Sequence, residues 1–215
     1  MNFIILADKY QKGMKSKGCV GLIKVSQKIN AFEHQYRLIK NNFKKFKIVY
    51  VYGFDHKKMT NYIQEKNYEN IITIYNDDHE NSNYIHSLSL AQEYITKDFF
   101  VFFGDSIFKK DVFNNFSKDK SQIYVNNKQK NKLGCIIDTK QIVDNISFDL
   151  ENYLMDIYYI CKDDSKIFSK FITDPRYKNY FLFEIINKMI DSGIKFKANI
   201  KNKKNICSKI NTIRV

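Results

Sequence analysis

The sequence predicts an α/β fold, a mixed but mainly parallel sheet with helices on both faces. Three observations predict it. Apolar periodicity switches back and forth between strand and helix through the first half of the 215 residues. The strands there are continuous apolar runs, the pattern of strands covered on both faces, and their alternation with helices implies right-handed βαβ crossovers. The second half carries shorter strands joined by turns, which points to antiparallel pairing around the sheet edge.

The elements follow in order. "NFIILA" (2–7) is the first strand. After a loop of Lys and Gly comes "INAFEHQYRLIKNNF", where Phe32, Tyr36, Ile39 and Phe43 share one helical stripe. "FKIVYVY" (46–52) is a strand, "HKKMTNYIQEK" (56–66) a helix and "NIITIY" (70–75) a third strand. "SNYIHSLSLAQEYI" (82–95) sets Ile85, Leu88, Ala91 and Ile95 on one face, with Ser82 or Asn83 placed to cap its first turn. "DFFVFFG" (98–104) is the fourth strand. "KLGCIID", "QIVDNISF" and "MDIYYIC" read as strands, and "DDSKIFSKFI" and "YFLFEIINKMIDSG" as helices, the latter with Leu182, Ile185, Ile186, Met189 and Ile190 inward and Gly193 as its stop. "IKFKANI" and "ICSKINTIRV" close the chain as strands. With no internal repeat and a single proline, Pro175, a single domain over 1–215 is expected.

Composition excludes several functions. The formal charge of +13 invites a polyanion partner, but Lys, Asn and Ile are abundant throughout and arginine is confined to Arg37, Arg176 and Arg214, the signature of an AT-rich coding sequence. The charge is scattered, so a solvated basic surface is favoured and nucleic-acid binding ranks last. Cys19, Cys135, Cys161 and Cys207 are far apart, with no Cys-x-x-Cys pair, and read as reduced thiols in the core. No stretch approaches the ~20 apolar residues of a membrane span, and the amino terminus lacks a signal pattern, so no membrane association and a cytoplasmic location are expected.

"FFVFFGDSIF" (99–108) ends a buried run on Gly104 and Asp105. Ligands of open α/β sheets lie beyond the carboxyl ends of the strands, and a carboxylate there suits a hard cation such as Mg²⁺, which takes one or two carboxylates plus substrate phosphates. The alternative is that Asp105 caps a helix beginning "SIFKKDVF".

Taken in order, "IILADKYQKGMKSKGCVGLIKV", "AFEHQYRLIK", "NSNYIHSLSLAQEYI", "DFFVFFGDSIF", "YFLFEIINKMI" and "SKINTIRV" resemble the nucleotidyltransferase superfamily, which includes the sugar-phosphate nucleotidyltransferases and the phosphocholine cytidylyltransferases. The resemblance spans nearly the whole chain and implies a three-layer GT-A/Rossmann-like fold. It implies transfer of a nucleotidyl group, cytidylyl among the candidates, from a nucleoside triphosphate to a small phosphorylated acceptor, with Mg²⁺ as cofactor and CTP or UTP favoured. It places Asp105 on the family's metal-binding Asp and Asn211 on the second metal position. Leu6 and Ala7 fall at the start of the nucleotide loop, Asn83 and Ser87 near the base, Gly104 among the nucleotide-binding residues, and Glu184 near the acceptor.

The chain departs from the family pattern at two places. Leu6 and Ala7 are followed by Asp8, Lys9 and Tyr10 where the family has a glycine-rich turn; Gly13, Gly18 and Gly21 offer another loop, with Lys9, Lys12, Lys15 and Lys17 to neutralise phosphate oxygens. Lys17 or Lys24 is the candidate for the family's catalytic loop lysine. Near the carboxyl terminus, Lys209-Ile-Asn-Thr212 stands in place of a Glu-Ile-Asp-Thr motif, so a neutral side chain replaces a charged metal ligand and Lys209 adds a positive charge beside it. A unit charge about 4 Å from a cation contributes on the order of 4 kcal/mol at an effective dielectric near 20. Two other readings stand beside the transferase: a catalytically silent protein that keeps the fold for binding or assembly, and a glycosyltransferase of the same broad fold, although Ile107 stands where its Asp-x-Asp motif needs a second Asp.

Overall fold

The apolar run at the amino terminus forms β1 (Asn2–Ala7), buried from Phe3 onward and placed near the middle of the sheet. The structure, a computed structural model, describes residues 1–10, 13–128, 132–204 and 206–210. Then follow α1 (Ala31–Asn42), β2 (Lys47–Tyr52), α2 (His56–Glu65), β3 (Ile71–Tyr75), α3 (Tyr84–Leu90) and β4 (Phe99–Phe103), as the alternation of periods requires. The second half supplies β5 (Ser106–Phe108), β6 (Gln122–Asn126), β7 (Leu133–Ile137), β8 (Val143–Phe148), β9 (Tyr153–Ile160), α4 (Lys162–Thr173), α5 (Leu182–Asp191), β10 (Lys197–Lys201) and β11 (Cys207–Lys209).

Among the described residues the main sheet runs β10-β6-β9-β4-β1-β2-β3, with β7 and β8 attached beside β9. β4, β1, β2 and β3 are mutually parallel; β9 enters antiparallel between β4 and β6. Alternation along the strands divides the apolar side chains between two faces. Phe3, Ile5, Phe100 and Phe102 face α1 and α2 with Phe32, Tyr36, Ile39 and Met59. Ile4, Leu6, Phe99 and Val101 face α3, α4 and α5 with Ile85, Leu88, Phe168, Ile185 and Met189. The three-layer, mainly parallel architecture expected from the sequence is the one observed.

Three local expectations change. The helix expected over 82–95 ends at Leu90 and continues as a separate 3-10 turn, Gln92–Tyr94, although Ile85, Leu88, Ala91 and Ile95 are all buried as the periodicity requires. "SIFKKDVF" does not begin a helix: Ser106–Phe108 is β5, paired with β11, so Asp105 is not a helix cap. β6 is an additional strand, five residues long and wholly buried. The four cysteines are buried, unbridged thiols. Among the described residues no helix is long and apolar enough to cross a membrane.

Candidate functional site

Because β1 and β4 are parallel neighbours, their carboxyl ends meet at one edge. The Gly104 amide donates to the Leu6 carbonyl at 2.8 Å, and a Cβ on Gly104 would lie 2.5 Å from the Ala7 Cβ. Glycine is required there for close approach of the two strand ends. Leu6 and Ala7 themselves are buried.

Asp105 follows immediately. Antiparallel pairing of β11 with β5 sets Lys209 opposite Ser106, and the Ile210 amide donates to the Asp105 carbonyl at 2.9 Å. The segment 207–210 is thereby strapped over Asp105. Nζ of Lys209 lies 2.8 Å from Oδ1 of Asp105 and 2.6 Å from Oδ2 of Asp156, and the Ser106 hydroxyl also donates to Asp105 Oδ1. The side chains of Asp105 and Asp156 are 13% and 14% exposed.

Asp156 reaches this site through an irregularity in β9. The β6–β9 register shifts between Ile123 and Val125, leaving Met155, Asp156 and Ile157 across from Tyr124. Asp156 adopts a left-handed backbone with φ 57°, a conformation that Asp tolerates better than most residues. Such a bulge re-aims a side chain, here toward Lys209. Burial raises the Asp156 carboxyl above its ordinary range and Asp105 adds to this, while Lys209 opposes it. Burial alone would lower the Lys209 ammonium, but Asp156 and Asp105 together outweigh it and hold the group protonated well above the usual lysine range.

Beside this ion triad opens a cleft of about 160 Å³ with Asp156 and Lys209 in its wall. Tyr84, Phe103, Tyr158 and Phe183 supply the aromatic surface, and the Lys209 ammonium sits 5.2 Å from the Phe103 ring centroid. On its other side Asp105 borders a small pocket with Tyr10, Gly18 and Ile23 of the loop after β1.

The remaining candidates divide between exposed positions and internal bonds. Lys9 turns inward: its ammonium donates to the carbonyls of His79 and Ser82 and lies 3.8 Å from Asp8. Asp8 is fully buried, and Asn76 donates to its carboxylate and to the hydroxyls of Ser82 and Ser87. Ser87 therefore belongs to a buried polar network that ties the β3–α3 loop to the end of β1. Asn83 caps α3 through Tyr84 and donates to the Asn179 carbonyl. Glu184 accepts from the Phe181 amide at 2.7 Å, closing the first turn of α5. Lys15, Lys17 and Lys24 are exposed; Lys15 lies 3.8 Å from Glu80 and over the Tyr10 ring. Gly13 is exposed with φ 82° and open space around it. Lys12 and Asn211 lie outside the described residues. Asp156 and the Asp8–Asn76 pair were not among the sequence candidates; a lone acid in the apolar strand "MDIYYIC" was the available signal for the first.

The resemblance places magnesium on Asp105 and Asn211, the second of which lies outside the described residues; the acid pair that is described, Asp105 and Asp156, does not fit a magnesium ion between its two Lys209-bonded oxygens. One oxygen of each carboxylate is directed at the same ammonium, and Mg²⁺, with ligands at about 2.1 Å, would need the space that Nζ fills. Among the described residues no group of three or more His, Cys, Asp or Glu side chains is placed to hold a metal ion.

No family model and no curated protein matches the sequence. Solved structures do match across nearly the whole chain. A CTP:phosphocholine cytidylyltransferase from Streptococcus pneumoniae superposes with a TM-score of 0.81 at 17% identity, covering 99% of this chain and 93% of that one. An inositol-1-phosphate CTP transferase from T. maritima gives 0.72 at 19% identity, covering 93% and 84%. A nucleoside-diphosphate-sugar pyrophosphorylase from Vibrio cholerae gives 0.77 at 12% identity, covering 98% and 95%. The chain shares the nucleotidyltransferase fold.

Proposed function

We propose that this chain binds a nucleoside triphosphate, CTP or UTP favoured, at the carboxyl edge of β1 and β4 and transfers its nucleotidyl group to a small phosphorylated acceptor. The observation that carries the reading is the Asp105–Lys209–Asp156 triad at that edge, bordered on one side by the loop after β1 and on the other by an aromatic cleft. Two of the similar structures are of proteins named for CTP as donor, and their named acceptors, phosphocholine and inositol 1-phosphate, are small phosphorylated molecules.

In this reading an acceptor phosphate oxygen attacks the α-phosphorus in line. One P–O bond forms, the bond to the β-phosphoryl group breaks, and pyrophosphate leaves. Catalysis of this kind depends on positioning and charge neutralisation. Among the described residues of the loop after β1, Lys15, Lys17 and Lys24 are exposed and available to the leaving phosphates, and Lys209 lies in the wall of the aromatic cleft. Magnesium has no assigned role, because one oxygen of each carboxylate is already bonded to Lys209. The aromatic walls of the cleft suit an acceptor carrying a quaternary ammonium, which binds favourably over ring faces.

A second reading, a catalytically silent binding protein, is favoured by one observation: Lys9, Ser87, Asn83 and Glu184 all have internal bonds. Pyrophosphate release separates the two. Each of the four nucleoside triphosphates is paired with phosphocholine, inositol 1-phosphate and a sugar 1-phosphate. Release with one pair, lost in Asp105→Asn, supports transfer; no release with any pair, together with calorimetric binding of a triphosphate, supports the silent protein.

A further inference from the structure

We propose that the Lys209 ammonium is a tethered cation standing where a divalent ion would sit, so that the Asp105–Asp156 pair takes up no metal unless Lys209 is removed. The nucleotide part of this inference rests on the transfer reading; the cation part does not.

Geometry carries it. A single nitrogen lies within 2.8 Å of both acidic side chains, which come from different parts of the fold, one from the end of β4 and one from the β9 bulge. The arrangement is held from every direction. The β5–β11 ladder and the Ile210 amide on the Asp105 carbonyl fix the Lys209 backbone beside Asp105. The left-handed residue at 156, set in the β9 bulge, turns the second carboxylate toward the ammonium. The ammonium also lies against the Phe103 ring, which favours a cation at that point.

The consequence is that the charge neutralisation a divalent ion would give to these carboxylates is part of the polypeptide. A divalent ion entering between them would have to expel a covalently attached competitor that is present at every moment. Asp105 and Asp156 therefore supply no metal ligand to a nucleotide bound at this edge, and any magnesium there is held by the nucleotide's own phosphates.

Manganese, read by the loss of the free-ion signal in electron paramagnetic resonance, is the probe, with no nucleotide present. The wild-type chain is expected to bind no Mn²⁺ at up to millimolar concentration, whereas Lys209→Ala binds one ion and Lys209→Ala with Asp156→Asn loses it. A wild-type site abolished by Asp105→Asn overturns the proposal, as does a folded Lys209→Ala chain that binds none. Should Lys209→Ala fail to fold alone, circular dichroism with and without Mn²⁺ gives the same decision: ion-dependent folding supports the tethered cation, and a chain that stays unfolded with the ion contradicts it. Because none of these readouts requires turnover, an inactive wild-type chain that still behaves this way removes the transfer reading and leaves the tethered cation intact.

Discussion

Nζ of Lys209 lies 2.8 Å from Oδ1 of Asp105, although the residues are 104 positions apart. The pairing of β11 with β5 makes this contact, and the bulge in β9 adds Asp156 to it. Removing the lysine leaves two poorly solvated carboxylates facing each other. Lys209→Ala is expected to lower stability by about 2 to 3 kcal/mol, less than a fully buried pair because the lysine side chain is 29% exposed. Adding Asp156→Asn should restore part of the loss, a coupling that denaturant melts of the four chains measure.

Lys201 is the clearest pH-dependent group. Its ammonium is buried, bonded to the Asn114 carbonyl and lying over the Tyr124 ring, and burial pulls it down to about 8. The unfolded chain holds this proton up to about pH 10.4, so between the two values the unfolded state carries more protons and stability rises with pH. Below about pH 8 both states are protonated and the penalty is complete. Lys201→Met is therefore expected to be more stable than wild type at pH 7, with the gap closing toward pH 10. Melting curves of both chains across that window check it.

Asp8 has the opposite dependence. Burial raises its carboxyl, with Ser87, Lys9 and Asn76 opposing, and its Oδ1 has no hydrogen-bond partner among the described residues. The folded chain holds the proton to higher pH than the unfolded one, so this group's contribution falls as pH rises from the ordinary carboxylate range through the folded value. Asp8→Asn is expected to gain about 1 kcal/mol at neutral pH and to flatten thermal stability across the acidic range. An unchanged or lower melting temperature at pH 7 contradicts this.

Gly104 is held by sterics. In Gly104→Ala the new methyl carbon meets the Ala7 Cβ at 2.5 Å, and forcing the strand ends apart is expected to cost about 1 to 3 kcal/mol. A denaturation midpoint equal to wild type would show that the β1 and β4 ends can separate without loss.

The central strands and helices were legible because continuous apolar runs and helical stripes report burial directly, as at Phe3 to Ala7 and at Ile85, Leu88 and Ala91. Asp105 was legible for a topological reason: it follows a buried strand whose carboxyl end lies at the ligand edge. Lys209 was visible as a misplaced charge, but its partners were not, since the β5–β11 pairing joins two three-residue strands with almost no periodicity. Asp156 was hidden because a bulge leaves no mark in the spacing of "YLMDIYYI". The family pattern assigns Lys9, Ser87 and Glu184 to ligands, whereas the His79 carbonyl, the Asn76 amide and the Phe181 amide give each an internal partner.

A crystal structure grown with CTP or UTP and excess magnesium is the decisive measurement. The expected result is a nucleotide between the loop after β1 and the end of β4, with the Lys209 ammonium still between Asp105 and Asp156. Saturating nucleotide that leaves this edge empty, or a metal ion seated between the two carboxylates with Lys209 swung away, would contradict it.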